Sequence, residues 1–104
     1  MSTPLTLDTA RGSDGKLMLV AAGEIDLSNV GAFTLALSSA AIDGDGALLV
    51  DLSAVEYLDS AAISALAAHA DRIELVAHPI LMPVLKLSGL TELTAIVPAP
   101  QAAE

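Results

Sequence analysis

Three acidic–polar clusters are the places where this sequence could do chemistry: Gly23-Glu-Ile-Asp26, Asp51-Leu-Ser53 and Tyr57-Leu-Asp-Ser60. Carboxylates set beside hydroxyls can move protons, attract cations or flank a modified side chain. Each cluster also has a plainer reading, because Asp and Ser are common helix caps and turn formers. For Ser60 to be a catalytic nucleophile, a base must lie within hydrogen-bond reach. The two candidates are His69 and His78. At ~100° and ~1.5 Å per residue, His69 is about half a revolution around a helix from Ser60 and ~13 Å along it. The two cannot meet on one helix. His78 stands beside Pro79 in an expected loop and has no motif partner. A hydrolase triad is therefore not expected. Metal binding has no motif behind it either, since neither an EF-hand nor a His-x-x-x-His spacing occurs. The chain has no cysteine, which excludes disulfides, thiol catalysis and Cys-ligated metals. No Gly-rich phosphate loop is present, so no cofactor is expected.

Ser60 makes better sense as a site of modification. At a helix N-terminus a phosphoserine meets free N–H donors and the positive end of the helix dipole. Phosphate adds about −1.5 to −2 charges, here next to Asp59 and toward Asp26. The helix tolerates that charge, whereas an incoming partner meets a changed potential.

The elements that would position these residues follow from composition and periodicity. The 104 residues read as one domain, with an ordered core over about residues 5–97 and frayed ends. Hydrophobic residues make up 54%, and the surplus is aliphatic, with 20 Ala and 18 Leu against one Phe, one Tyr and no Trp. Such a chain can bury a core, so disorder is excluded for most of its length. It lacks the aromatic platforms on which single-stranded nucleic acid stacks. The formal charge is −9, and Arg11, Lys16, Arg72 and Lys86 are the only strong cations. That balance cannot grip a phosphate backbone, so no nucleic-acid partner is expected. The longest uncharged run, Leu27–Ile42, is 16 residues and interrupted by polar ones. A membrane span needs ~20 predominantly apolar residues. The N-terminus has no basic stretch leading into an apolar one. The expectation is a soluble, cytoplasmic protein without membrane insertion.

Leu5–Ala10 alternates like an edge strand, Gly12–Gly15 signals a turn, and Leu17–Ala22 is an apolar strand closed by Gly23, together a hairpin. Ser28 can cap a helix whose inner positions are Val30, Phe33, Leu37 and Ala41, ended by Asp43–Gly46. Ala47–Leu52 reads as a strand covered on both faces. Asp59 or Ser60 opens a second helix. Arg72–Ala77 is the next strand, Pro83 starts a third helix that Gly89 ends, Leu90–Leu93 is a turn, and Thr94–Val97 is a final strand. This alternation predicts an α/β fold: a mixed sheet of four or five strands with about three to four helices. All three clusters then fall where strands end, the end at which open α/β sheets gather ligands.

On a helical wheel the second helix puts Ile63, Leu66 and Ala70 on an inner stripe. Ala61, Ala65 and Ala68 gather on the opposite side, and Ser60, Ser64 and Asp71 line one edge. A water-facing helix surface usually carries charge. This methyl-only face reads either as filler or as a flat surface on which a partner docks closely.

Gly23-Glu-Ile-Asp26, Leu49-Val-Asp-Leu-Ser53, Val55-Glu-Tyr-Leu-Asp-Ser60 and Val84-Leu-Lys-Leu-Ser-Gly-Leu90, in this order, resemble the STAS domain. They resemble more closely the small single-domain anti-sigma factor antagonists of bacteria. The resemblance runs from about Leu5 to Val97. It implies that Ser60 is phosphorylated by an anti-sigma factor, an ATP-dependent serine kinase. The unphosphorylated protein would bind that kinase and displace a sigma factor, and a phosphatase would restore it. Asp26 and Asp59 would contribute to partner recognition, with Ala61, Ser64, Ala65 and Ala68 on the docking helix. The chain would be a substrate and binding module, not an enzyme. It departs from the family in two places. Ala61-Ala62 stands where a glycine is common, which favours a rigid helix. Only Ala61–Asp71 separates Ser60 from the next strand, so the second helix must be short. The competing reading is a STAS scaffold subunit, bound without a phosphate switch to an ATPase in a transport or stress-sensing complex.

Overall fold

The computed structural model describes residues 3–12, 14–43 and 47–100. Five strands form one sheet in the order β1-β2-β3-β4-β5: β1 (Thr6–Arg11), β2 (Leu17–Ile25), β3 (Leu48–Leu58), β4 (Ile73–Ala77) and β5 (Ile96–Pro98). β1 and β2 pair antiparallel as the expected hairpin, and every later pair is parallel. Parallel neighbours need crossovers, which helices supply. α1 (Val30–Asp43) joins β2 to β3, and α2 (Ser60–Ala68) joins β3 to β4. α3 (Met82–Leu87), with its flanking 3₁₀ turns, joins β4 to β5. The mixed α/β fold is the one expected. The helix stop expected over residues 43–46 lies outside the described residues beyond Asp43. So do residue 13 of the hairpin turn and the outermost ends, residues 1–2 and 101–104.

The core is built from alternation. Leu19, Ala21 and Ile25 of β2, Leu48, Val50 and Leu52 of β3, and Ile73, Leu75 and Ala77 of β4 are buried. Against them pack Phe33, Leu37 and Ala40 of α1, Ala62 and Leu66 of α2, and Leu85 of α3. The run at Ala47–Leu52 is not covered equally on both faces. Leu49 and Asp51 are half-buried between their buried neighbours.

β3 is the main departure from expectation. It does not stop at Leu52 but runs on to Leu58, past the end of β4, where Leu52 pairs with Ala77. Residues 54–58 pair with β2 alone. The register from Val20–Asp51 to Ala22–Ala54, and again from Gly23–Val55 to Glu24–Tyr57, gains one β3 residue each time. These are two bulges, which bend a strand and sharpen its twist. Asp51 belongs to the first of them. Its Oδ1 accepts a hydrogen bond from Ser53 N–H at 2.9 Å, a local bond made inside the strand. The Asp51-Leu-Ser53 cluster therefore does not close a strand and does not join the other two. β2 likewise passes through Gly23 and Glu24 to Ile25.

Gly23 is needed where it stands. Its φ is +100°, and a Cβ there would lie 2.2 Å from the carbonyl oxygen of Pro4. The N-terminal segment crosses at this point, with Thr3 O accepting from Glu24 N–H at 3.2 Å. In Gly23→Ala the segment can peel away to relieve the clash, but the left-handed strain stays. We expect a cost of about 2 kcal/mol, a fall in Tm of roughly 10 °C by calorimetry. An unchanged Tm would mean that this close approach does not hold in solution.

Candidate functional site

Two loops at the carboxyl ends of parallel strands build the site. The first leaves β2 as a turn over Asp26–Asn29. Asp26 O accepts from Asn29 N–H at 3.1 Å and from Val30 N–H at 2.8 Å. Asn29 Oδ1 accepts from Asp26 N–H, and Asn29 Nδ2 donates to Glu24 O, both at 2.9 Å. Asp26 Oδ1 accepts from Ser28 N–H at 3.0 Å and from the Ser28 hydroxyl. Ser28 is thus committed to Asp26 and does not cap α1, which begins two residues later.

The second loop joins β3 to α2 through Asp59, in extended backbone at φ −103° and ψ −174°. Its N–H donates to Ile25 O at 3.2 Å. Its carboxylate does two jobs. Oδ1 accepts from Ala62 N–H at 3.1 Å and caps α2, while Oδ2 accepts from Leu27 N–H at 3.1 Å and ties the two loops together. The plain reading of Asp59 as a cap therefore holds, and the same side chain places Asp26 beside the α2 N-terminus.

Ser60 is the first residue of α2 and is exposed. Asp59 occupies Ala62 N–H through Oδ1 and Ile63 N–H through its carbonyl. Among the described residues no acceptor is paired with the N–H of Ser60 or Ala61. Those two donors, at the positive end of the helix, suit an anion placed on the Ser60 hydroxyl.

The face that α2 buries is rotated from the expected one. Ala62, Ala65 and Leu66 are buried, Ile63 is only partly so, and Ala70 lies past the helix in a 3₁₀ turn over Ala70–Arg72. Ala65, only 9% exposed, belongs to the core and cannot be part of a docking face. Ser60, Ser64 and Ala68 are exposed in its place, and Ala61 is half-buried at their edge. Spacings of four residues put Ser60, Ser64 and Ala68 on one face. The surface offered to a partner is hence more hydroxylic than the methyl-only one expected.

A family model described as "Mlab, STAS domain" matches residues 9–98. The chain belongs to the STAS domain family. A curated relative, the anti-sigma-F factor antagonist RsfB of Mycobacterium tuberculosis, is 38% identical over 74 residues. That match takes in 70% of this chain and 61% of the relative, so the chain spans less than two thirds of RsfB. A crystal structure of an anti-sigma factor antagonist from Mycobacterium paratuberculosis superposes with a TM-score of 0.84 at 30% identity, covering 95% of this chain and 92% of that one. The anti-sigma factor antagonist SpoIIAA in its unphosphorylated form has a TM-score of 0.66 at 19% identity, over 92% and 90% of the two chains. This last likeness carries the fold alone.

In this STAS domain Asp26, Asp59 and Ser60 come together, as do Ser64 and Ala68 along the helix they lead into. The histidines stand apart. His69 follows the last turn of α2, with Nδ1 3.0 Å from Ala65 O and Nε2 3.3 Å from Ser38 Oγ. A carbonyl only accepts, so Nδ1 carries a proton and the ring ties α2 to α1. His78 Nδ1 accepts from Ile80 N–H at 3.0 Å and caps the 3₁₀ turn before α3. Both rings have structural partners. Among the described residues no group of three His, Asp or Glu could hold a metal ion, and no helix is long and apolar enough to cross a membrane. One residue at the site went unnoticed in the sequence. Leu27 is 78% exposed within the turn that Asp59 holds. Its signal is a single large aliphatic side chain in the otherwise polar run Asp26-Leu-Ser-Asn29.

Proposed function

We propose that this protein is an anti-sigma factor antagonist switched by phosphorylation of Ser60. Unphosphorylated, it binds an anti-sigma factor that is also an ATP-dependent serine kinase, and so frees a sigma factor in the cytoplasm. Phosphate on Ser60 ends the binding, and a phosphatase restores it. The observation that carries this reading is the placement of Ser60: exposed, at the start of a capped helix, beside two N–H donors that no acceptor among the described residues occupies and the carboxylates of Asp59 and Asp26. The names of RsfB and of the Mycobacterium paratuberculosis protein support it.

The chain acts as substrate and not as enzyme. In the transfer the Ser60 oxygen attacks the γ-phosphorus, ADP leaves, and the hydroxyl proton passes to a base. His69 is at the far end of α2, His78 is engaged in a cap, and both oxygens of Asp59 are engaged by the Ala62 and Leu27 N–H groups, so the base is assigned to the kinase. Afterwards Ser60 and Ala61 N–H can donate to the phosphate, and the fold persists while the surface gains about two negative charges.

The test is recovery of the chain with its partner from native cells, then phosphate mapping. Phosphate is expected on Ser60 and on no residue of the Ser60→Ala variant. A stably bound ATPase with Ser60 never phosphorylated would sink the switch and leave the scaffold subunit.

A further inference from the structure

We propose that Leu27 is the apolar anchor of the partner interface and seats in an apolar pocket, rimmed by basic side chains, on the kinase. This rests on the anti-sigma factor antagonist function proposed above. Leu27 contributes nothing to the core: it is 78% exposed, between the half-buried Asp26 and the exposed Ser28. An aliphatic side chain alone on a surface needs no explanation. What sets Leu27 apart is the rigidity of its backbone and its place. Hydrogen bonds from Asp26, Ser28, Asn29 and Val30 close the turn, and Asp59 Oδ2 holds Leu27 N–H at 3.1 Å. The residue that fixes Leu27 is thus the one that caps α2 immediately before Ser60. An apolar side chain presented on a fixed backbone binds with little ordering cost.

The charge around it says what the partner must be. Glu24, Asp26, Glu56 and Asp59 lie on the strand ends and loops of this site. Arg11, Lys16 and Arg72 lie at the opposite end of the parallel strands, at or next to the starts of β2 and β4, and Lys86 is on α3. A second copy of this acidic end would be repelled. A basic-rimmed pocket is complementary both to the carboxylates and to Leu27. Tyr57, 50% exposed near the end of β3, adds apolar surface at the same end.

The test is titration calorimetry of the purified kinase against wild type, Leu27→Ala, Leu27→Met and Ser60→Asp. Full burial of a leucine side chain is worth about tenfold to a hundredfold in affinity. Leu27→Ala should lose about that much with an unchanged Tm, while Leu27→Met keeps most of the affinity. Wild-type affinity for Leu27→Ala, beside a weakened Ser60→Asp, overturns the anchor and leaves the antagonist function standing. A weakened Leu27→Ala beside an unaffected Ser60→Asp keeps the anchor and removes the switch. Sedimentation covers the remaining occupant. If the protein self-associates and Leu27→Ala abolishes only that, the occupant is a second copy and the proposal fails.

Discussion

Ser60→Asp should bind the partner kinase about tenfold to a hundredfold more weakly than the unmodified protein, and yet be slightly more stable. The two effects have opposite signs for one physical reason. A carboxylate at the first position of α2 sits at the positive end of the helix dipole, which stabilises the fold by about 0.3–1 kcal/mol. The same charge adds to Asp59 and Asp26, already within one or two hydrogen bonds of each other through the Leu27 turn. A partner whose binding depends on close approach here must desolvate the added carboxylate. An ionised group taken out of water without a matched partner costs several kcal/mol, and the longer side chain also crowds the contact. About 1–3 kcal/mol of that surviving gives the stated loss. Authentic phosphate carries nearly twice the charge and should do more. Ser60→Ala adds no charge and favours helix, so it should bind at least as well as wild type and resist the kinase. Calorimetric titration and thermal melts on the three proteins check this. Equal affinities would remove the switch, and a Tm fall in Ser60→Asp would show that the α2 N-terminus is not open as described.

Local chemistry made most of the architecture legible in the sequence, and non-local pairing hid the rest. The start of α2 could be read because Asp59 caps through its own side chain, an interaction spanning three residues. The start of α3 could be read because Pro83 suits a first helical turn. β3 could not be followed past Leu52, because Asp51 and Ser53 look like a strand end when their bond to each other is unseen. What keeps residues 54–58 extended is β2, more than 30 positions earlier in the chain. The face of α2 was misplaced for a similar reason. Side-chain size pointed inward at Ile63, but the sheet accepts the smaller Ala62 and Ala65 beside Leu66. Ser28 looked like a cap because its type is right, while its hydroxyl is in fact spent on Asp26. The candidate site was legible through Asp26, Asp59 and Ser60. The bond that joins them, Leu27 N–H to Asp59, lies across 32 residues and has no sequence signature.

Leu66→Ala should have the largest effect on stability of any change in α2. The helix has only nine residues, too few to persist by propensity alone. Packing must hold it, and of its three buried residues two are alanines. Leu66 is the one large side chain of the helix that is fully buried, while Ile63 packs against the core only in part. Truncation removes the transfer free energy of the lost methyl and methylene groups and leaves a cavity that close-packed neighbours fill poorly, about 2–5 kcal/mol in all. Small domains are stable by only about 5–15 kcal/mol, so a large share of the margin goes. Tm should fall by roughly 10–25 °C, whereas Ser64→Ala, on the exposed face of the same helix, should stay within about 0.5 kcal/mol of wild type. Below the melting range the loss should concentrate in α2. Amides of Ile63–Ala67 should exchange faster relative to those of β3 and β4, which keep their ladder bonds. That local opening also frays the capped N-terminus, so Leu66→Ala should blunt the distinction between Ser60 and its Asp variant without touching either residue. A Tm within about 2 °C of wild type would mean that α2 is fastened by something other than Leu66, with its capping bonds to Asp59 the next place to look.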